Sequence, residues 1–324
     1  MYQPEELSKM VNEAIAALPY DRKPGSLYAP IQYVLSLGGK RIRPVLMLMA
    51  YNLYKEDPQQ VLSQAIGLET YHNFTLLHDD LMDQADMRRG HETVHRKWNA
   101  NQAILSGDTM ILQAFHHVTD CPPEVLKGVM QLFIQTSLEI DEGQQYDVEF
   151  ETRDDVTEDE YIEMIRLKTS VFLACALKMG GLLAGASEAD QTALYNLGEK
   201  IGLAFQLQDD LLDVYGDPKV FGKNIGGDIT SNKKTYMLIN ALNLANPIQR
   251  KSLERWIEAE RFDRNEKVAA VTALYNAIGI RQLCENRINH YFEQGRQYLE
   301  QLSVADDRKV ILRQYLAQMM KREW

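Results

Sequence analysis

The chain has 324 residues, of which 45% are hydrophobic, and it carries a formal net charge of −11 at pH 7. These values are typical of a globular protein with one large domain or two average ones. The acidic excess argues against general nucleic-acid binding, which needs a basic surface. The three cysteines have no CxxC spacing and indicate neither a zinc site nor a disulfide framework, so we expect a cytoplasmic protein.

Apolar residues recur at helical spacing along most of the chain, and alternating strand patterns are nearly absent. The first residues do not resemble a signal peptide. The most apolar window, 169–187, contains Lys178, which favours a buried helix over a membrane span. No linker divides the chain, so we expect one all-α domain over 1–324, a large helical bundle with a central ligand cavity. Helices are predicted at about 5–18, 42–54, 59–84, 96–119, 124–146, 158–186, 188–215, 232–244, 248–260, 265–278, 280–302 and 306–321.

The stretch from His72 to Gly90 contains three acidic residues, Asp79, Asp80 and Asp83, on a predicted helix. Positions i and i+4 share one helix face, so Asp79 and Asp83 point the same way. Apolar neighbours imply a half-buried face, on which clustered carboxylates repel each other unless a cation neutralises them. Mg²⁺ is the simplest candidate, because it binds oxygen ligands and is often shared between carboxylates and substrate phosphates. A near copy of the motif predicts a second such site and consists of Asp209, Asp210 and Asp213.

Basic residues stand on both sides of the first acidic motif. Before it, the segment 38–44 combines two glycines, which permit close approach of the backbone to a ligand, with three cations. Arg88 and Arg89 follow the motif. A solvated charge run is the usual explanation for such residues, but a metal-diphosphate ligand needs both signs of charge, which favours an anion site. Further lysines follow at 168, 223 and 233, and the glycine-rich loop 216–227 is either a connector or a lid over phosphate.

From about Leu37 to Thr235 the chain resembles the trans-prenyl diphosphate synthases of the polyprenyl synthetase family. A lone Asp-Asp-x-x-Asp motif is weak evidence, but two copies occur here in order with other family motifs, and independent coincidences multiply. Those motifs are Gly-Gly-Lys-Arg-Ile-Arg-Pro, Arg-Arg-Gly-His-Glu-Thr-Val-His, Gly107-Asp108, Gly143-Gln144, Lys168-Thr169 and Phe205-Gln206. The resemblance implies a short-chain prenyltransferase that condenses an allylic diphosphate with isopentenyl diphosphate, giving geranylgeranyl or farnesyl diphosphate.

The resemblance also implies a role for each matching residue and suggests a homodimer. The six motif aspartates would hold Mg²⁺ ions that bridge the allylic diphosphate. Contacts to that diphosphate are implied for Arg88, Lys168, Lys223 and Lys233, while Thr169 and Gln206 would face the ionising carbon. The implied pocket for isopentenyl diphosphate consists of Lys40, Arg43, His72 and Arg89. We expect His78 to be structural, and Lys321 and Arg322 either to close this pocket or to cap their helix.

One stripe of the first motif helix is expected to set the product length. The growing chain would run from the metals toward the helix N-terminus, past Thr75, Phe74 and Tyr71, so aromatic bulk begins about 6–8 Å from the motif at about 1.5 Å per residue. Both aromatics are alternatively plain core residues, which is their commoner role. By family resemblance, an aromatic five residues before the first aspartate is typical of short-chain enzymes. The absence of a two-residue insertion in that motif favours geranylgeranyl diphosphate.

Two other functions share some of these features. A class I terpene cyclase has the first aspartate motif, but it usually carries an Asn/Ser/Glu-type second motif and needs no second basic pocket. A non-catalytic helical partner subunit of a heteromeric synthase has no need of the six motif aspartates, all of which are present here. Calcium binding of the EF-hand type is excluded because its loop pattern is absent.

Overall fold

A computed structural model describes residues 1–216 and 225–321. Nearly all regular structure in these ranges is helical, which confirms the predicted all-α class. Within the same ranges, the strands form one antiparallel hairpin of β1 (Met87–Arg88) and β2 (His91–Glu92). The helices are α1 (Pro4–Ala16), α2 (Gly25–Ser36), α3 (Ile42–Asn52), α4 (Leu62–Met82), α5 (Val94–Lys97), α6 (Ala100–Val118), α7 (Pro123–Thr152), α8 (Glu158–Ile165), α9 (Val171–Leu183), α10 (Glu188–Tyr215), α11 (Gly227–Thr230), α12 (Tyr236–Leu244), α13 (Pro247–Ile257), α14 (Arg264–Ile278), α15 (Ile280–Gln301) and α16 (Asp306–Lys321).

Most predicted helices begin and end within a few residues of the observed ones. The predicted helix 124–146 continues to Thr152 in α7, and three larger differences follow. Helix α2 has no counterpart in the prediction, because Pro24 at its N-cap and Pro30 inside it are helix-breaking signals. The predicted helix 96–119 is divided into α5 and α6. The backbone of Trp98 leaves the helical region, and Asn99 then caps α6 by accepting a hydrogen bond from the amide of Gln102.

The predicted helix 158–186 is α8 and α9 joined by a π-helical turn, Arg166–Ser170. This turn contains Lys168 and Thr169, and π-turns inside α-helices are frequent at functional sites. Gly143 of α7 lies against it, since a Cβ on Gly143 would lie 2.3 Å from the backbone nitrogen of Lys168. A side chain at position 143 would therefore push α7 away from the turn.

The described helices form two compact units. The first comprises Met1–Ile134, Ala176–Thr192 and Ser303–Leu312. The second comprises Gln135–Cys175, Ala193–Leu302 and Arg313–Trp324, of which 217–224 and 322–324 lie outside the described residues. In the first unit α4 and α6 are in close contact, because a Cβ on Gly67 would lie 2.8 Å from Val118. In the second unit, buried residues of α8, α10, α12, α14 and α15 share one hydrophobic core. The single domain over 1–324 stays a prediction. Within the described ranges, no helix combines the length and apolarity needed to cross a bilayer.

Candidate active site

The first aspartate motif lies at the C-terminal end of α4. Asp79 and Asp80 belong to its last turn, and Asp83 is the C-cap, whose amide donates a 2.9 Å hydrogen bond to the carbonyl of Asp79. The helix is unbroken from Tyr71 to Asp83, as the chain-length argument requires. Asp80 is buried, at 5% exposure, whereas Asp83 is exposed. The motif therefore contains one inward carboxylate and one that faces solvent.

Arg88 of β1 binds the buried aspartate of this motif. Its Nε lies 2.8 Å and 2.9 Å from the two carboxylate oxygens of Asp80, and its Nη2 lies 2.6 Å from Oδ1. Nη2 is also 3.8 Å from Asp79 Oδ2. Burial raises the pKa of Asp80 and outweighs the opposing effect of Arg88. The structure thus places Arg88, which was predicted to contact the diphosphate, on a motif carboxylate.

Cationic side chains surround one histidine in the predicted isopentenyl diphosphate pocket. Arg43 Nη1 lies 3.2 Å from His72 Nε2. Burial is the largest cause that lowers the pKa of His72 well below its ordinary value, and Arg43, Arg89, Arg88 and Arg41 lower it further. A neutral imidazole accepts the hydrogen bond from Arg43 through Nε2. This concentration of positive charge in an acidic protein is typical of an anion site.

The two glycines before α3 admit an arginine side chain. A Cβ on Gly39 would lie 2.9 Å from Nη2 and 3.0 Å from Cζ of Arg89, and the φ of Gly39 is +141°. Arg89 Nη1 donates a hydrogen bond to the carbonyl of Gly38. The sequence predicts that a ligand approaches the backbone of these glycines closely. In the structure, the group that approaches it is the guanidinium of Arg89. Lys40 is the remaining basic residue predicted for the isopentenyl diphosphate pocket, and it is exposed beside this turn.

Arg41, in the middle of the same basic segment, has a structural role. It is 4% exposed, and its Nη1 forms an ion pair with Glu69 over 2.5 Å. Its Nε donates to Asn12 over 2.9 Å, and its Nη2 donates to the carbonyl of Leu35 over 3.0 Å. All three guanidinium nitrogens therefore bond within the protein.

The second aspartate motif lies near the C-terminal end of α10. Asp210 is 5% exposed and accepts hydrogen bonds from the hydroxyl of Tyr161 and, over 3.2 Å, from Gln206 Nε2. Burial, followed by the charge of Asp228, raises the pKa of Asp210 to about 7. Thr169 Oγ1 lies 3.2 Å from Gln206 Oε1. One hydrogen-bonded chain therefore joins both residues predicted to face the ionising carbon to the middle aspartate.

The outer aspartate of this motif holds the start of α11. Asp213 Oδ2 accepts a 3.0 Å hydrogen bond from the amide of Asp228, and its carbonyl accepts one of 2.6 Å from the amide of Gly226. The segment after residue 224 is thereby attached to the motif helix.

The two described lysines predicted for the allylic diphosphate meet at one carboxylate. Asp147 Oδ2 on α7 lies 2.6 Å from Lys168 Nζ and 3.5 Å from Lys233 Nζ. Burial acts to raise the pKa of Asp147, but Lys233 and Lys168 together outweigh it and hold the pKa below its ordinary value. These groups line a cleft of about 170 Å³ in the second unit, together with Tyr161, Thr169, Gln206, Asp209, Asp210, Asp213 and Asp228. The cleft therefore carries cations and clustered carboxylates side by side.

The predicted chain-length residues belong to an aromatic cluster in the first unit. The ring of Tyr71 makes edge contacts with Phe74 at 5.1 Å and with Phe133 of α7 at 5.2 Å, measured between centroids. Phe133 in turn contacts Phe115 of α6 at 5.0 Å. Tyr71 and Phe74 are 2% and 7% exposed, so both are core residues as well as members of the stripe. Thr75 turns back to its own helix and donates to the carbonyl of His72 over 2.8 Å.

Four residues of the sites described above were not predicted from the sequence, namely Asp147, Tyr161, Phe133 and Asp228. Asp147 follows Gly143 by one helical turn, so the Gly143-Gln144 motif was a signal for it. Tyr161 and Phe133 had no signal, because a buried tyrosine or phenylalanine looks like any core residue. His78 Nε2 lies 3.2 Å from the carbonyl of Ile104, and its structural role stays a prediction. Among the predicted residues, Lys223 and Arg322 lie outside the described ones, and Lys321 is exposed at the end of α16.

The arrangement fits Mg²⁺ bound together with substrate. Within 1–216 and 225–321, no three His, Cys, Asp or Glu side chains already form a metal-binding group. Mg²⁺ usually keeps several waters and binds through one or two carboxylates plus substrate phosphates, so a preformed cage is not required. The middle aspartates, Asp80 and Asp210, are buried at 5% exposure, whereas the outer aspartates of both motifs are more exposed, which favours the outer positions as metal ligands.

Comparison with known proteins identifies the family. A family model described as "Polyprenyl synthetase" matches residues 24–276. The chain is 36% identical to a geranylgeranyl pyrophosphate synthase of Geoglobus acetivorans, covering 95% of both chains. It is 38% identical to a geranylgeranyl diphosphate synthase of Methanosarcina mazei, covering 98% of this chain and 96% of the relative.

Solved structures agree with these relatives. A crystal structure of a geranylgeranyl pyrophosphate synthase matches with a TM-score of 0.94 and 40% identity over 100% of both chains. A geranylgeranyl pyrophosphate synthetase from Pyrococcus horikoshii Ot3 matches with a TM-score of 0.91 and 32% identity, over 99% of this chain and 97% of the other. These similarities do not favour a terpene cyclase or a non-catalytic subunit. The chain therefore belongs to the polyprenyl synthetase family and is a prenyltransferase of the trans-prenyl diphosphate synthase class.

Proposed function

We propose that the protein makes geranylgeranyl diphosphate from isopentenyl diphosphate and an allylic diphosphate, with Mg²⁺ as its cofactor. The observation that carries the product assignment is the pair Tyr71 and Phe74, whose rings pack together within about two helical turns of Asp79 and would close the stripe of α4 there. The two sequence relatives reported above support it, since both are geranylgeranyl diphosphate or pyrophosphate synthases. A solved relative from Corynebacterium glutamicum is described as complexed with isoprenyl diphosphate and magnesium.

Breaking the allylic C–O bond leaves a delocalised carbocation and a diphosphate with several negative charges. We propose that Asp79 and Asp83 of the first unit and Asp209 and Asp213 of the second would each hold Mg²⁺, which would supply positive charge to the leaving diphosphate when bound. Asp80 and Asp210, which were predicted as ligands too, then serve mainly to orient the motifs through Arg88 and Tyr161.

The chain's own cations and oxygens complete the chemistry. Lys168 and Lys233 would bind the leaving diphosphate, because their ammonium groups already lie together at Asp147. The oxygens of Thr169 and Gln206 would face the carbocation. Arg43, His72, Arg89 and Lys40 would hold isopentenyl diphosphate so that its alkene attacks the cation. The product forms when the resulting tertiary cation loses a proton, for which the released diphosphate is the base.

The direct test is incubation of the purified protein with Mg²⁺, isopentenyl diphosphate and each of dimethylallyl, geranyl and farnesyl diphosphate, followed by chain-length analysis. We expect geranylgeranyl diphosphate as the longest main product, and loss of activity in EDTA. Asp79→Asn and Asp209→Asn should be nearly inactive, whereas the exposed control Asp21→Asn should match the wild type. No elongation with any starter would contradict the proposal. Turnover of a single diphosphate substrate would instead favour the cyclase.

We also propose that the protein is a cytoplasmic homodimer. Helix α6 exposes three large apolar side chains, Ile104 at 44%, Leu105 at 57% and Leu112 at 71%, and such a stripe is a typical protein contact. Light scattering after size exclusion should give twice the chain mass for the wild type and one chain mass for Leu105→Glu/Leu112→Glu. A monomeric wild type at micromolar concentration would reject the dimer. Cell fractionation tests the predicted cytoplasmic location. Recovery of the protein in the membrane pellet would reject it.

A further inference from the structure

Helix α14 contains a buried lysine, Lys267, whose burial requires an explanation. Lys267 is 1% exposed, and its Nζ lies 2.7 Å from Asn232 Oδ1 and 4.2 Å from the ring centroid of Phe262. Among the described residues no carboxylate offsets its charge, and burial alone lowers the pKa of Lys267. A lysine is rarely this buried unless an acid pairs with it, because an ammonium loses its hydration. Its presence points to a requirement other than stability.

The partner of Lys267 is an amide held at both ends. Asn232 Oδ1 accepts from Lys267, and Asn232 Nδ2 donates to the carbonyl of Ile257 over 2.9 Å. Asn232 has a φ of +54°, in the left-handed region that ends the turn after α11. The first turn of α14 holds the same segment at a second point, where Arg264 Nη2 donates to the carbonyl of Ile225 over 2.7 Å.

The residue after this turn is Lys233, whose charged side chain lies in the cleft with the second aspartate motif. Lys233 follows Asn232 directly, and its amide donates to the carbonyl of Asp228 over 2.9 Å. Its Nζ reaches Asp147 in the cleft that contains the second aspartate motif. The direction in which Lys233 leaves the backbone therefore depends on the conformation of Asn232.

We propose that Lys267 is a positioning residue that acts through Asn232 to aim Lys233 at the allylic diphosphate. The inference rests on the proposed function for the role of Lys233. Lys267→Met removes the cost of burying an ammonium group but also takes one donor from Asn232 Oδ1, and these two effects on stability oppose each other. A purely structural lysine would therefore tolerate methionine with little change in rate. A positioning lysine would not, because misplacing a catalytic charge by about 1 Å costs up to about 100-fold in rate.

The experiment compares Lys267→Met with Asn232→Gly and the exposed control Lys251→Met. Glycine keeps the left-handed turn but removes both amide bonds, so it should reproduce the methionine variant. We expect each to lower kcat/KM for the allylic diphosphate by roughly 10- to 100-fold, with KM for isopentenyl diphosphate changed by less than about 2-fold. The melting temperature of Lys267→Met should fall by less than about 3 °C. Lys251→Met should match the wild type.

A double-mutant cycle with Lys233→Ala decides whether the effect passes through Lys233. In that background Lys267→Met should change kcat/KM by less than about 2-fold. An equal loss in both backgrounds, or no loss from Lys267→Met in an active enzyme, overturns the proposal. If Lys267→Met does not fold, Asn232→Gly takes its place in the same cycle, with the same two outcomes against the proposal. A wild type that does not elongate any starter instead refutes the proposed function, so the two failures are distinguishable.

Discussion

Removing the aromatic stripe of α4 is expected to lengthen the product in steps. At about 1.5 Å per residue, Phe74 and Tyr71 lie about 7.5 Å and 12 Å along the helix from Asp79, and the next position on the same face is Gly67, against which Val118 of α6 packs. An isoprene unit, with four main-chain carbons, is about as long as one helical turn of roughly 5.4 Å. Phe74→Ala should therefore admit about one more unit, and Tyr71→Ala/Phe74→Ala about two.

Phe133 makes the prediction sharper. Its ring lies 5.2 Å from that of Tyr71 and belongs to a different helix, so it remains in place when Tyr71 is removed. We expect Tyr71→Ala/Phe74→Ala/Phe133→Ala to give longer products than the double variant. Phe133→Ala alone should change the product distribution little, since Tyr71 still closes the stripe.

The assay is chain-length analysis of the dephosphorylated products at 25 °C, with folding of each variant checked by circular dichroism. Each truncation of a buried aromatic costs about 3–5 kcal/mol of stability, so Phe150→Ala, a buried phenylalanine outside this cluster, serves as the matched control. It should be destabilised by a similar amount and should give the wild-type product. Unchanged product length in the folded Tyr71 and Phe74 variants would refute the stripe.

Three further predictions concern charge and backbone. Arg41→Met should lower the free energy of unfolding in urea by about 3–5 kcal/mol, because it leaves the carboxylate of Glu69 buried without its partner. Gly39→Ala should raise KM for isopentenyl diphosphate by roughly 10-fold in steady-state kinetics, because its methyl group would displace Arg89 and strain the backbone. Asp147 has a lowered pKa when folded, so it contributes stability above its unfolded pKa of about 3.9 that is lost as pH falls. The stability difference between wild type and Asp147→Asn in urea should therefore shrink from pH 5 to about pH 3.

Each of these predictions has a contradicting result. A loss no larger for Arg41→Met than for the exposed control Arg261→Met would show that the buried ion pair contributes nothing. For Gly39→Ala, an increase in KM for the allylic substrate alone would contradict the prediction, because it would mean that the allylic substrate and not isopentenyl diphosphate binds beside this turn. For Asp147→Asn, a stability difference that does not vary with pH would remove the lysines as the cause of the lowered pKa.

Much of the helical pattern could be read from the sequence because apolar spacing and caps are local signals. Helix α10 begins and ends where it was predicted, and the first motif lies at the end of one unbroken helix. Helix α2 was missed because its prolines are local signals against a helix that tertiary packing overrides. The break at Trp98 is likewise invisible in the apolar pattern, which continues across it.

The sequence by itself determined the residue types that a diphosphate needs, two acidic motifs and flanking basic segments, since their spacing along a helix fixes which members share a face. Residue type alone did not separate Arg41 from Arg43, which only the family resemblance assigned to the isopentenyl diphosphate pocket, because side chains of equal charge differ only in where the backbone directs them. Only the tertiary structure decided that Arg41 is paired with Glu69, that Asp147 gathers Lys168 and Lys233, and that Tyr161 binds Asp210. Each of these contacts joins residues more than 20 positions apart, for which no local periodicity carries information.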